Sequence, residues 1–324
     1  MNKYLIPIVY ILLLVLIYIA SNNEVSALLF LFSVILLLGL SALSFIYLQR
    51  IFNAKWSVRF ENTAKIFTNL IYYSAPVVII LFYLLSEQNY LFDNELLSYL
   101  YNDYSILFRY MLFFAIWVFL VRRINNHNES GIKLTILLFT ISVLAYDMLI
   151  FANVFNNKDI WFSAVFGIYF IISGFSGFLA LLYILSQLNI ELKKLERIKL
   201  AKMLFSVNIL WAYVAFTQYL IISYGNLPKE LIFYEIRLSN GWELLIILIA
   251  FLHFILPFLL LIGKKAKENI LVLYIASATI AISFFIEMYW IIYPFFYKDL
   301  HIGWEVLLLL LMFGIAVKEL SHKR

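Results

Sequence analysis

The feature that most constrains this chain is the recurrence of unbroken apolar runs about 17 to 25 residues long, the length a helix needs to cross roughly 30 Å of hydrocarbon. Runs such as Ile11–Ile17 and Leu307–Phe313 carry no polar residue. They show none of the alternation that a membrane strand needs, so a lipid-embedded barrel is excluded. Hydrophobic residues make up 65% of the 324 and charged ones 13%, against about half and about a quarter in soluble domains. So much apolar surface has no place in water. The chain reads as an all-α, polytopic membrane protein of about ten transmembrane helices.

Spans are expected near 4–20, 26–48, 66–86, 105–121, 133–155, 160–187, 200–224, 241–262, 270–294 and 303–320. Basic residues are retained in cytoplasmic loops, and here they alternate. Arg50, Lys55, Arg59 and Lys65 follow the second span, Arg122, Arg123 and Lys133 the fourth. Lys193, Lys194, Arg197 and Lys199 follow the sixth, and Lys264, Lys265 and Lys267 the eighth. Lys3 and the tail residues Lys318, Lys323 and Arg324 fall on that same side. Opposite loops hold chiefly Lys158, Lys229, Arg237 and Lys298, and one of them, Glu87–Tyr104, is acidic. Both termini are therefore expected in the cytoplasm. Ile19–Asn23 makes a poor cleavage site, so the first span is expected to remain. The net charge of +5 is spread as loop anchors and calls for no nucleic acid.

Cysteine is absent, which excludes iron–sulfur ligation, thioether haem attachment and disulfides. Of four histidines, only His253 lies within a span. A bis-histidine haem needs two, so no intrinsic redox cofactor is expected. No phosphate-binding glycine loop or zinc spacing occurs, and no connecting loop is long enough for an extramembrane catalytic domain.

Ionisable groups at membrane depth carry the functional signal, because inserting one costs about 3 kcal/mol on translocon scales. Asp147 falls within the fifth expected span and Glu287 within the ninth. In the seventh, Asn208, Trp211, Ala215 and Gln218 share one face, with Tyr219 beside Gln218. His253 precedes Pro257, which can kink the eighth span and free a carbonyl. These residues suggest a proton-handling cluster, with Asp147 and Glu287 titrating and His253, Gln218 and Tyr219 relaying or orienting. Polar packing between helices is the alternative. Ser163, Gly167, Gly174 and Gly177 form a small-residue face that admits a neighbouring backbone. Asp147 and Glu287 occupy similar depths, and each precedes Met, consistent with a parallel repeat of two four-helix units, about 26–155 and 160–294.

The segment Trp211–Glu230 resembles the most distinctive block of the F-type membrane component of bacterial alternative complex III. Weaker echoes run in the family's order: Trp56–Val58 with Arg59 and Glu61, Ala145–Met148, Phe162–Phe170, His253–Phe258, Met288–Trp290 with Pro294, and His301–Trp304. The resemblance covers nearly the whole chain within residues 1–324. It implies a fold similar to polysulfide-reductase membrane subunits, two four-helix bundles flanked by two outer helices. It also implies a non-catalytic subunit of a quinol:cytochrome c, or oxidase-linked, oxidoreductase in the bacterial inner membrane. Haem and iron–sulfur proteins would be its partners, with quinone at most at a subunit interface. Asp147 is the first residue the resemblance places in a proton path, followed by His253, Gln218 and Tyr219; Glu287 stands where the family is expected to have Asp. A transporter or lipid-linked-sugar flippase also fits ten helices with buried carboxylates, although no matched pair of Gly/Pro-broken helices is seen.

Overall fold

The computed structural model describes residues 25–74, 77, 103–126, 165–189, 191–301 and 303. Among them every regular element is helical and no strand occurs. Five helices are long and apolar enough to cross a membrane: Val25–Ile51, Phe166–Leu188, Lys194–Gly225, Glu243–Leu261 and Ile270–Phe295. The expected spans near 4–20, 133–155 and 303–320, and most of 66–86, lie outside the described residues.

Helix α1 (Val25–Ile51) is apolar on every face and buried along nearly its whole length, as befits a helix surrounded by others. It packs on α2 (Val58–Thr68), α4 (Phe166–Asn189) and α9 (Ile270–Ile292). Asn53 takes a left-handed φ of 48° in the turn leaving α1, and a short 3-10 turn at Lys55–Ser57 leads into α2. Helix α2 occupies a stretch expected to be connection, because its charges read as loop anchors. It is instead amphipathic: Phe60, Thr63, Ala64 and Phe67 are buried at helical spacing, while Glu61 pairs with Arg50 at 2.9 Å and with Lys65 at 3.0 Å. Helix α3 (Asp103–Asn125) buries Trp117, Leu120, Val121 and Ile124 and ends on Arg122 and Arg123.

Helices α4 and α5 (Lys194–Gly225) form a tight hairpin. α5 starts six residues before the expected 200, because Glu196 accepts a hydrogen bond from the Lys193 backbone N–H at 2.8 Å and caps the first turn. Arg59 donates to the Glu191 carbonyl at 2.8 Å and lies 3.5 Å from Glu196, tying this end to α2. Lys194 pairs with Glu268 at 2.7 Å. Only a narrow stripe of α5 is buried: Leu200, Ala201, Leu204, Asn208, Trp211, Val214, Gln218 and Ile222. Its other faces expose Leu210, Tyr213, Phe216 and Ile221, polar groups inward and apolar outward, as lipid requires.

After α5, the stretch expected to be loop contains α6 (Pro228–Arg237), which starts on proline in its first turn. Then α7 (Glu243–Ile249) runs through a π-helical segment, Ala250–Ile255, into α8 (Leu256–Leu261), which together form one apolar rod. Asn269 caps α9 by accepting from the Leu271 and Val272 N–H groups at 2.9 and 3.3 Å. Among the described residues the most extensive helix pairing is α4 on α9, and glycine makes it possible. A Cβ at Gly177 would sit 2.5 Å from Phe284 Cγ, and one at Gly174 would sit 2.9 Å from Leu37 Cβ on α1. The small-residue face of α4 thus serves two neighbours. Ser163 lies outside the described residues.

Candidate functional site: a buried carboxyl between four elements

Glu287 lies on α9 with no exposure to solvent, and three side chains converge on it. On α4, Tyr169 and Ser173 are one turn apart, which puts both hydroxyls on the face towards α9; each donates to the carboxyl group. From α5, the Trp211 indole N–H donates to Oε1 at 2.9 Å. Such full satisfaction is what a buried carboxyl needs.

The fourth neighbour is His253, also fully buried, whose Nδ1 lies 3.5 Å from Glu287 Oε2. Its Nε2 is 3.0 Å from Ser176 Oγ on α4. The imidazole lies flat against the Trp211 indole, with centroids 4.0 Å apart and planes 5° apart. Its backbone is held as well. Pro257 cannot donate to the carbonyl four residues before it, which is that of His253, and the Asn208 carboxamide donates to this oxygen instead. The π segment and the proline together turn the His253 carbonyl into an acceptor for α5, and π segments recur at functional sites.

Chemically, the pair is neutral overall both with a proton on the carboxyl beside a neutral imidazole and as carboxylate beside imidazolium. A proton can thus change partners without leaving net charge in a low-dielectric interior, where an isolated charge is costly. Among the described residues no group of three or more His, Cys, Asp or Glu side chains could hold a metal.

Of the residues singled out from sequence, Glu287 and His253 are in direct proximity. Gln218 and Tyr219 lie about two turns further along α5 and line a cavity of about 510 Å³ that shares Trp211 and Tyr169 with the Glu287 site. Asp147 lies outside the described residues. Sequence alone does not single out Tyr169, Ser173 and Ser176, although their spacing on one helix opposite an expected buried acid is a usable signal. Arg237, expected in a connecting loop on the side opposite the basic anchors, is fully buried, with its guanidinium 3.7 Å from the Phe233 ring centroid and 4.3 Å from that of Phe295. It donates to the carbonyls of Phe233, at 2.7 Å, and Ile291.

No protein-family model and no curated protein matches the chain.

Proposed function

We propose that this chain is a non-catalytic membrane subunit of a respiratory quinol:cytochrome c, or oxidase-linked, oxidoreductase, contributing a proton pathway and a scaffold. The observation that carries the proton role is the Glu287–His253 pair at 3.5 Å, buried within membrane-length helices and surrounded by hydroxyl and indole donors. Intramembrane ionisable groups are costly and cluster on proton routes. A relay also needs neighbouring groups that both give and accept protons, which Tyr169, Ser173, Ser176 and the imidazole supply. In this reading Asp147 is a second titrating site. The full chain crosses the bacterial inner membrane about ten times as two four-helix units with outer helices, both termini in the cytoplasm. The respiratory partners rest on the resemblance of Trp211–Glu230 and its companion segments.

Two measurements test this. The detergent-extracted protein is expected to co-purify with haem-bearing partners; isolation as a stable, colourless monomer would overturn the assignment. In the assembled complex, Glu287→Gln is expected to lower proton coupling at least ~10-fold while assembly persists, and unchanged coupling would remove Glu287 from the path. A transporter is the competing reading, supported by the cavity beside α5 and the interrupted helix at Ala250–Ile255. Substrate uptake by the protein alone in vesicles would favour it.

A further inference from the structure

The end of the fold remote from Glu287 carries a second cavity, of about 340 Å³, between the last turns of α1 and the start of α2. Arg59 on α2 binds the Glu191 carbonyl just past α4, at the opposite end of that helix from Tyr169 and Ser173. Polar and charged groups line this cavity: Gln49, Arg50, Asn53, Lys55, Ser57 and Glu61.

Charge is unbalanced there. Glu61 Oε1 is shared between Arg50 and Lys65, while Lys55 is exposed and in no ion pair among the described residues. Three cations thus surround one carboxylate, a surplus of two positive charges. The bond to Glu61 uses a single nitrogen of the Arg50 guanidinium, which carries five N–H donors. The carbonyls of Leu48, Gln49 and Arg50, at the negative end of α1, accept from the N–H groups of Phe52, Ala54 and Asn53. The helix end is therefore engaged by its own backbone.

Uncovered apolar surface adjoins these cations. Helix α1 is buried along nearly its whole length, yet its last turn exposes Leu48 and Ile51 at 37% and 43%, and Phe52 follows at 75%. Because α1 is of membrane length, its end falls where hydrocarbon gives way to headgroups. Basic pockets at that depth suit anionic headgroups.

We propose that the cavity binds the phosphate of an anionic phospholipid, with Arg50 and Lys55 donating to it and the acyl chains lying along Leu48, Ile51 and Phe52. A zwitterionic lipid brings a further cation to a site that already holds two in excess, so a net negative headgroup is selected. The site goes beyond the proton reading and is independent of it, since binding here requires neither charge nor proton at Glu287.

The test uses the full chain, stripped of lipid in detergent and titrated with dioleoylphosphatidylglycerol or with dioleoylphosphatidylcholine, with bound adducts counted by native mass spectrometry. Saturable 1:1 binding of the phosphatidylglycerol is expected, at least ~10-fold tighter than that of the phosphatidylcholine. Lys55→Glu is expected to weaken it more than ~10-fold. Lys199→Glu makes the same charge change on an exposed lysine at the same end, on α5, and is expected to alter binding less than ~2-fold. Ala54→Phe fills the cavity without changing charge; it is also expected to weaken binding, and it carries the test if Lys55→Glu does not fold. Equal binding of the two lipids, or equal weakening by Lys55→Glu and Lys199→Glu, would mean diffuse attraction and overturns the proposal. Displacement of the bound lipid by an excess of sodium phosphate overturns it as well, by making free phosphate the ligand.

Discussion

The indole of Trp211 does two things to the pair it adjoins: its face lies 4.0 Å from the His253 ring, and its N–H reaches Glu287 at 2.9 Å. A single side chain thus sets the plane of the imidazole and one ligand of the carboxyl. Trp211→Phe retains a stacking surface and loses the donor. Thermal denaturation in detergent is expected to show a loss of about 1–2 kcal/mol, as for a hydrogen bond to an ionisable group. A variant as stable as the parent would mean that this bond contributes nothing.

Asn208 and Pro257 make a second pair, because the carboxamide of one serves the carbonyl that the other leaves without its helical donor. Asn208→Leu removes that side-chain donor from the buried carbonyl. The expected cost is about 1–3 kcal/mol, and Pro257→Ala in the same background is expected to recover part of it by supplying an N–H. If the second substitution adds to the damage, the two residues are not linked in this way.

Gly177 faces the ring of Phe284 on α9 with no space for a methyl group. Gly177→Ala should therefore push α4 and α9 apart, with a loss of about 1–3 kcal/mol typical of overpacking. Gly225→Ala is the control, since a Cβ there meets nothing within 4 Å. Equal melting temperatures for the two variants would refute the packing argument.

Glu61 lies outside the membrane-length helices, between Arg50 and Lys65. Burial alone would raise its carboxyl, but hydrogen bonds from Lys65 and Arg50 outweigh this and hold it below the usual carboxylate range. A depressed folded-state pKa contributes stability above the unfolded value near ~4.3, and that contribution disappears as pH falls through the folded value. Glu61→Gln is expected to cost about 1 kcal/mol at pH ~7, with the gap to the parent closing below about pH 4. A gap independent of pH would exclude the ion-pair account.

Hydropathy places the five membrane-length helices to within six residues at either end, because a bilayer tolerates little ambiguity in what may face it. Two amphipathic helices, α2 and α6, escape that logic. Their apolar residues are too few to register as spans, and charges such as Arg59 and Lys65 read as loop anchors even though helical spacing places Phe60 and Phe67 inward. Within the site, Glu287 and His253 stand out from sequence because ionisable residues in apolar runs are conspicuous. Tyr169 and Ser173 do not, since hydroxyl residues are ordinary in membrane helices, and only the closeness of α4 and α9 at Gly177 gives them a carboxyl to meet. Arg237 is illegible for a related reason: its position in a connection implies solvent, whereas the fold encloses it among Phe233, Phe295 and two carbonyls.

The π segment at Ala250–Ile255 has a consequence for how the rod from α7 to α8 keeps its orientation. Its inward residues, Ile249, His253, Pro257 and Leu261, recur every fourth position. In an unbroken α-helix of about 3.6 residues per turn each such step overshoots by about 40°, and three steps would carry the row about 120° around the axis. The wider i→i+5 winding turns less per residue and takes up part of that drift. The segment therefore works as a phase correction in the helix. Deleting one residue from it would leave composition and hydropathy almost unchanged, yet would rotate Pro257 and Leu261 by about 100° out of the row that presents His253 to Glu287.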